Sequence, residues 1–370
     1  MKHAIAAAVM SGAMCLMAGD ASAERTLRMT VQVGANHPVG ANTHYFAEQL
    51  NEISGGEMTV RVFDSASLFK GQEVPQAISS GAIDMGIVLA DEYAGSVPAA
   101  GIFSVAFMFP DYQILARAAD REGAFRTTFD NLLLEAGSKV LWWQDYGPVQ
   151  MLSKGAPVVS PEDMRGKMVR ATGKPTGDLI EAVGGSAVVV GGAEQFVAYQ
   201  RGLVDIGMSG TTAVKSRALY EVMDHVTMTS HGLAEFIAVI NPALWDSMSE
   251  QEQAWMTEAA IRAEEKMRAE TEAENVEAAQ WLAENGHATV TELTPEQIAV
   301  WQEATRPAVE QFRQEAGEAG DQLLTALDAL RCGQGHDCIP WRAAPGGRAV
   351  ADRGAPVRGG HRRHDDAADL

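Results

Sequence analysis

Residues 160–173 read SPEDMRGKMVRATG, and the fold turns on how this stretch is read. Ser160-Pro161-Glu162-Asp163 has the form of a helix start: a hydroxyl cap, a proline at the first helical position and two acids in the first turn. Arg165-Gly166 ends that turn. Lys167 to Ala171 then alternates polar and apolar residues, as a short strand does. Arg170 therefore falls at the carboxyl end of a strand, just before Thr172-Gly173-Lys174-Pro175. In open α/β sheets ligands sit beyond such ends. An arginine there is either a surface charge on an ordinary strand end or a planar fork of donors for a carboxylate.

The surrounding chain repeats this logic. Upstream, Leu27 to Val33 reads as a strand and Gly34-Ala35-Asn36-His37-Pro38 as a turn at its carboxyl end. Tyr45, Phe46, Gln49, Leu50 and Ile53 recur at helical spacing, Ser54-Gly55-Gly56 stops that helix, and Met58 to Phe63 alternates as a second strand. A strand, helix and strand in this order imply a parallel sheet. Gln32, Asn36 and His37 sit at the strand end where a ligand would lie. His37, just before a proline, reads as a turn residue rather than a metal ligand, because no second histidine stands at metal spacing. Gly71-Gln72-Glu73-Val74 opens a helix that stops at Ser80-Gly81, and Ile83 to Val88 is the next strand. The phrase Ser80-Gly81-Ala82-Ile83-Asp84 has a counterpart in Arg201-Gly202-Leu203-Val204-Asp205. Each is a helix end leading through an aspartate into an apolar strand. The two read as one element used once in each half, with both aspartates as structural turn residues.

Downstream of Arg170, Leu179 to Val183 reads as helix and Ala187 to Val190 as a buried strand followed by a Gly191-Gly192 loop. Glu194 to Gln200 reads as helix, and Val204 to Met208 as a strand ending at Ser209-Gly210-Thr211-Thr212. Those small residues either bring hydroxyl and N–H groups close to a ligand or form a flexible linker. Between the halves, Val140 to Gln144 is a strand leading into Asp145-Tyr146-Gly147-Pro148. It places Trp142 and Trp143 on opposite faces, both read as core residues. Phe236 to Ile240 reads as a strand returning to the first half. Ser249 to Asn285 has neither proline nor glycine, starts at a capping serine and stops before Gly286. It reads as one helix of about 54 Å, long enough to lie along both halves. Thr294-Pro295 starts another helix, and Arg306-Pro307 is read as the start of the last.

Met164-Arg165-Gly166-Lys167-Met168-Val169-Arg170 resembles a segment of the solute-binding proteins of tripartite ATP-independent periplasmic (TRAP) transporters, the DctP family. That segment usually reads leucine-lysine-glycine-leucine-lysine-isoleucine-arginine. A second family block resembles Glu194 to Asp205, where the family often continues Asp-Gly and this chain has Asp205-Ile206-Gly207. The likeness runs from about Leu27 to Arg331. It implies a two-lobed α/β periplasmic-binding-protein-like fold with a cleft between the lobes, hinge strands and a long helix spanning both. The first lobe is expected at 24–147 plus 235–274, and the second, with the C-terminal helices, at 148–234 plus 275–331. The resemblance implies that Arg170 pairs with a substrate carboxylate, opposite Gln32, Asn36 and His37 of the first lobe. Gln72, Gln150, Glu194 and Ser209 are further candidate ligand contacts. Gln150 stands where sialic-acid-binding members carry another arginine, Ser209 where many have an asparagine, and Gly192 where they have an aromatic. These departures remove one positive charge and one stacking surface. The ligand expected is a mono-carboxylate with hydroxyl or keto groups, or a small dicarboxylate.

Charge and motifs narrow the function classes. A formal net charge of −20 argues against nucleic acid or an anionic membrane as partner. No nucleophile elbow, phosphate loop, HExxH or paired metal ligand is present, and Glu194 is the one obvious candidate for a general base. The expectation is a monomeric binding protein without cofactor or metal. It would deliver a small organic acid to the membrane subunits of a TRAP permease, or report it to a sensor; an enzyme on the same frame is the rival reading. Residues 1–23 read as a secretory signal, with a charged start, an apolar run and Ala21-Ser22-Ala23 before the cleavage point, which places the mature chain in the periplasm. From Cys332 the composition turns to glycine, arginine, alanine and histidine, and residues 332–370 are expected to be disordered. Cys332 and Cys338 form a disulfide in one reading. In the other they join His336, His361 and His364 at a metal.

Overall fold

The computed structural model describes residues 24–332. The signal sequence, the tail from 333 and the readings of Cys338, His336, His361 and His364 lie outside the described residues. No helix among the described residues is long and apolar enough to cross a membrane.

Nine strands form one mixed sheet: β1 Arg25–Val31, β2 Met58–Phe63, β3 Met85–Leu89, β4 Lys139–Ser153, β5 Met168–Ala171, β6 Ser186–Val189, β7 Ile206–Ser209, β8 His225–Ile240 and β9 Thr289–Glu292. Their order is β2-β1-β3-β8-β4-β7-β5-β6, with β9 paired to β8. The order is close to a mirror about its centre. In one lobe β1 pairs in parallel with β2 and β3; in the other β5 pairs in parallel with β6 and β7. The two aspartates of the repeated phrase do the same work in each. Asp84 accepts the backbone N–H of Arg28 at 2.8 Å, and Asp205 that of Met168 at 2.8 Å. Each ties the start of the last strand of its triplet to the first.

The two central strands are long, 15 and 16 residues, and run antiparallel through both lobes. The sequence suggested two short crossing strands; the structure extends both. Their pairing slips at three places, one of them between Asp145 and Gly147. Gly147 has φ +107°, and a Cβ there would lie 2.6 Å from Tyr112 Oη and 2.9 Å from Asn275 Nδ2. Only glycine fits a backbone that turns this way against a neighbour. Another slip, between Val149 and Met151, throws out residues of β8 that include Ser230, at φ 42°.

The long helix, Glu250–Glu284, starts at Ser249 with a capping box to Glu252 and packs on both lobes. It is fastened to the crossing strands. Asn275 Nδ2 donates to the Tyr146 carbonyl at 2.8 Å, and Thr271 Oγ1 to that of Asp145 at 3.0 Å. Glu264, buried, takes Arg126 at 3.0 Å and Arg268 at 3.0 Å. Trp142 and Trp143 are both fully buried on opposite faces, as expected. Trp142 packs on Phe46, and Trp143 on Phe103, Phe125 and Phe129. The main apolar core is continuous from Leu27 and Met29 of β1 to Val169 of β5 and Met208 of β7.

Two expectations for the C-terminal region fail. Pro307 does not start a helix but lies inside one, Pro295–Cys332, whose break comes at Gly317 with φ 55°. The second half of this helix does not join the second lobe. Phe312, Leu323, Leu324 and Leu327 are buried with Ile102, Phe103 and Phe129 of the first.

Candidate functional site

Where β1, β3, β5 and β7 end, the lobes face each other across a small cavity. Gln32, Leu89 and Glu92 line it from the first lobe. Arg170, Thr172, Gln195, Ser209 and Arg217 line it from the second, and Tyr146, Val149 and Phe236 from the crossing strands. Its empty space, mouth included, is about 470 Å³, at the low end for small-molecule sites.

Arg170 is buried, and its guanidinium is held by the protein. Nε donates to the Val190 carbonyl at 3.0 Å and Nη1 to that of Met208, at the ends of the strands on either side. Nη2 has no hydrogen bond among the described residues and is left to donate to a ligand. The fork expected from the sequence is thus partly committed, which fixes its plane before any ligand arrives. Ser209 lies next to it, 5% exposed, with Oγ 3.4 Å from Gln195 Oε1.

The second cation is Arg217, which follows the helix Thr211–Ser216. Its Nη1 donates to the Gly192 carbonyl at 2.9 Å and to Gln195 Oε1 at 2.8 Å. Burial pulls its pKa below the ordinary arginine value, with the Arg170 charge adding to the effect. A Cβ on Gly192 would lie 3.0 Å from Gln32 Oε1 and 3.2 Å from Arg217 Nη2. The space left by the missing aromatic is therefore filled by Gln32 and this arginine. Arg217 places a second positive charge at the site, on a different element from Gln150.

The first lobe answers with acids. Asp91 is buried and accepts from Ser104 Oγ at 2.5 Å and, across the cleft, from Thr172 Oγ1 at 2.8 Å. Burial raises it to about 6 against those hydrogen bonds and Arg170. Glu92 Oε2 accepts the Leu89 N–H at 3.2 Å and stands 3.5 Å from Gln32 Nε2. Burial raises Glu92 to about 8, with Asp91 adding to the rise and Arg170 opposing it.

Five sequence candidates lie outside this cavity. Gln150 turns instead to the bulge of β8: its Oε1 accepts the Ser230 N–H at 2.9 Å and its Nε2 donates to Ser230 Oγ at 3.2 Å. His37 caps the helix Pro38–Ile53, with Nδ1 accepting from Val39 N at 3.2 Å, and stacks on Tyr146 at 5.3 Å. Burial and the Arg217 charge push its pKa well down, so the ring is neutral. Asn36 reaches across to the Ser216 carbonyl at 3.1 Å, on the outer side of the cleft. Gln72 and Glu194 line a separate opening at the rim, where Glu194 pairs with Lys70 of the opposite lobe at 2.6 Å. That hydrogen bond holds Glu194 below the usual carboxylate range, which weakens the one candidate for a general base. Gln32 and Ser209, with Arg170, are the candidates brought together. Arg217, Glu92, Gln195 and Tyr146 were missed. For Arg217, Glu92 and Gln195 the available signal was position, one loop or short helix beyond a strand end; Tyr146 lies within β4.

Two lobes, two crossing strands and a cavity lined by two arginines define a two-lobed solute-binding protein. The family model for "bacterial extracellular solute-binding protein, family 7" matches residues 29–315, and the chain belongs to that family. The C4-dicarboxylate-binding periplasmic protein DctP of Rhodobacter capsulatus is 24% identical over 302 residues, covering 80% of this chain and 88% of its own. The sugar acid binding protein of Advenella mimigardefordensis, solved with galactonate, superposes with a TM-score of 0.79 at 21% identity, covering 83% of this chain and 99% of its own. A Bordetella pertussis solute receptor binding pyroglutamic acid gives 0.77 at 20%, covering 82% and 99%.

Proposed function

We propose that the protein captures a small organic acid in the periplasm and delivers it to a TRAP-type membrane permease. The observation that carries this is the pair Arg170, buried, and Arg217, partly buried, two guanidinium groups converging on one small cavity in a chain of net charge −20. A buried cation without a counter-ion is costly, and a carboxylate entering the cavity relieves that cost for both. The ligands named for the three relatives above are all carboxylates, which supports the class.

Closure would follow from contacts to both lobes. A ligand held by Arg170 and Arg217 and touching Gln32 or Glu92 favours the closed arrangement by its differential affinity for it. Thr172 to Asp91, Asn36 to Ser216 and Lys70 to Glu194 are protein contacts across the cleft that would part on opening. The crossing strands β4 and β8 would absorb the rotation at their slipped pairings. The lobe boundaries outside the C-terminal helix, the monomeric state and the cleaved signal sequence belong to this proposal. A thermal-shift screen of organic acids, galactonate, pyroglutamate, succinate and lactate among them, tests it. The expected result is stabilisation by a subset, about 2.7 kcal/mol at a hundredfold excess over Kd. No stabilisation by any acid would overturn the reading.

A further inference from the structure

Glu92 is a carboxyl group on the wall of an anion site, and the acid-binding reading gives it no task. It is only partly buried, and it lines the cavity from the first lobe, opposite the two arginines. One oxygen, Oε2, is occupied by the Leu89 N–H and lies near Gln32 Nε2. The other, Oε1, has no hydrogen bond among the described residues. The carboxyl rests against Gly71, where a Cβ would lie 2.0 Å from Oε1, so a side chain at 71 would displace it. The charged groups facing it among the described residues are Asp91, on its own turn, and Arg170, from the second lobe.

We propose, resting on the acid-binding reading above, that Glu92 selects the ligand: its Oε1 accepts a hydrogen bond from an O–H or N–H group that the acid carries away from its carboxylate. The carboxylate is held from the second lobe and the donor from the first, so only a ligand with both ends bridges the cleft. An acid lacking the donor leaves a desolvated carboxylate oxygen unpaired, which is how a polar site rejects an analogue. The same donor favours the ionised form of Glu92 over the protonated form that burial favours.

The substitution Glu92→Gln gives a sharp chemical test. Leu89 N–H and Gln32 Nε2 both call for an oxygen at the Oε2 position, so the new amide would place its NH₂ at Oε1. A wall that accepted a hydrogen bond would then donate one. The probes are two series with a common skeleton, 4-hydroxypentanoate, pentanoate and 4-oxopentanoate, and 2-hydroxyglutarate, glutarate and 2-oxoglutarate, whose hydroxyl or keto group is remote from the far carboxylate, together with the acids of the screen. Binding is measured by calorimetry and thermal shift at pH 8.5, above the range to which burial raises Glu92. The parent protein is expected to bind the hydroxy acid about tenfold or more tightly than the acid without the hydroxyl, as a hydrogen bond to a charged group requires. Glu92→Ala is expected to bring that pair within about threefold, and Glu92→Gln to turn the preference toward the keto acid. A misfolded variant would lose all binding and could not invert a preference. Equal binding of hydroxy and unsubstituted acids by the parent, or an unchanged preference in both variants, would overturn the role of Glu92 and leave the acid-binding reading standing. If no acid binds at all, both fall.

Discussion

Gln150 was expected at the ligand and is found supporting the backbone, and its removal separates the two roles. In Gln150→Ala, Ser230 loses both the acceptor of its N–H at 2.9 Å and the donor to its hydroxyl at 3.2 Å. Each hydrogen bond contributes about 0.5–1.5 kcal/mol net. Ser230 also sits at φ 42°, a conformation costing about 1–3 kcal/mol that persists only while its surroundings impose it. Gln150 is 3% exposed, so its loss also leaves a void. Together these give an expected loss of about 2–4 kcal/mol in urea unfolding. Ligand affinity should stay within about threefold, because the side chain does not line the cavity. Adding Ser230→Gly relieves the strained φ and should recover part of the loss. A tenfold drop in affinity with unchanged stability would refute this account and return Gln150 to the ligand.

Two further outcomes are expected. Gly147→Ala should destabilise the protein by about 2–4 kcal/mol in the same unfolding assay, from the strain of φ +107° and the close approach of Tyr112 and Asn275; a change under about 0.5 kcal/mol would mean the crossing strand adjusts freely. Glu92 is raised to about 8 in the fold, so its contribution is present below pH 4.5, its ordinary value, and is lost as pH rises through 8. Thermal unfolding without ligand should therefore show stability falling between pH 5 and 8.5, with a shallower fall in Glu92→Gln; parallel pH profiles would count against the buried acid.

The parts of the fold legible in the sequence were those written as periodic pattern. The strand–helix–strand units, the repeated phrase ending in Asp84 and Asp205, and the uninterrupted run from Ser249 to Asn285 each depend on local spacing, and the structure keeps them. Arg170 was legible because it ends a strand inside a family segment. Arg217 was not: it follows a short helix and reaches the cavity close against Gly192. Glu92 was hidden too, being four residues beyond Val88, where the strand pattern stops. Gln150 alternates correctly along β4, but the bulge of β8, a pairing between distant segments, decides what it touches. Pro307 looked like a helix start because proline commonly is one. What breaks that helix is Gly317, ten residues on.

The central claim is that Arg170 and Arg217 hold a carboxylate inside the cleft. Calorimetry with the acid that stabilises the protein most in the screen tests it directly, on the parent, Arg170→Ala, Arg217→Ala and Arg165→Ala, each checked for folding. Arg165 is exposed and pairs with Glu162 at 2.9 Å, which makes it a control of the same chemistry outside the cavity. Truncating one partner of a buried charge pair costs about 2–5 kcal/mol, so each cavity variant should lose about thirtyfold to several thousandfold in affinity. Arg165→Ala should stay within about twofold of the parent. Arg170→Ala binding the acid as tightly as Arg165→Ala would contradict the claim.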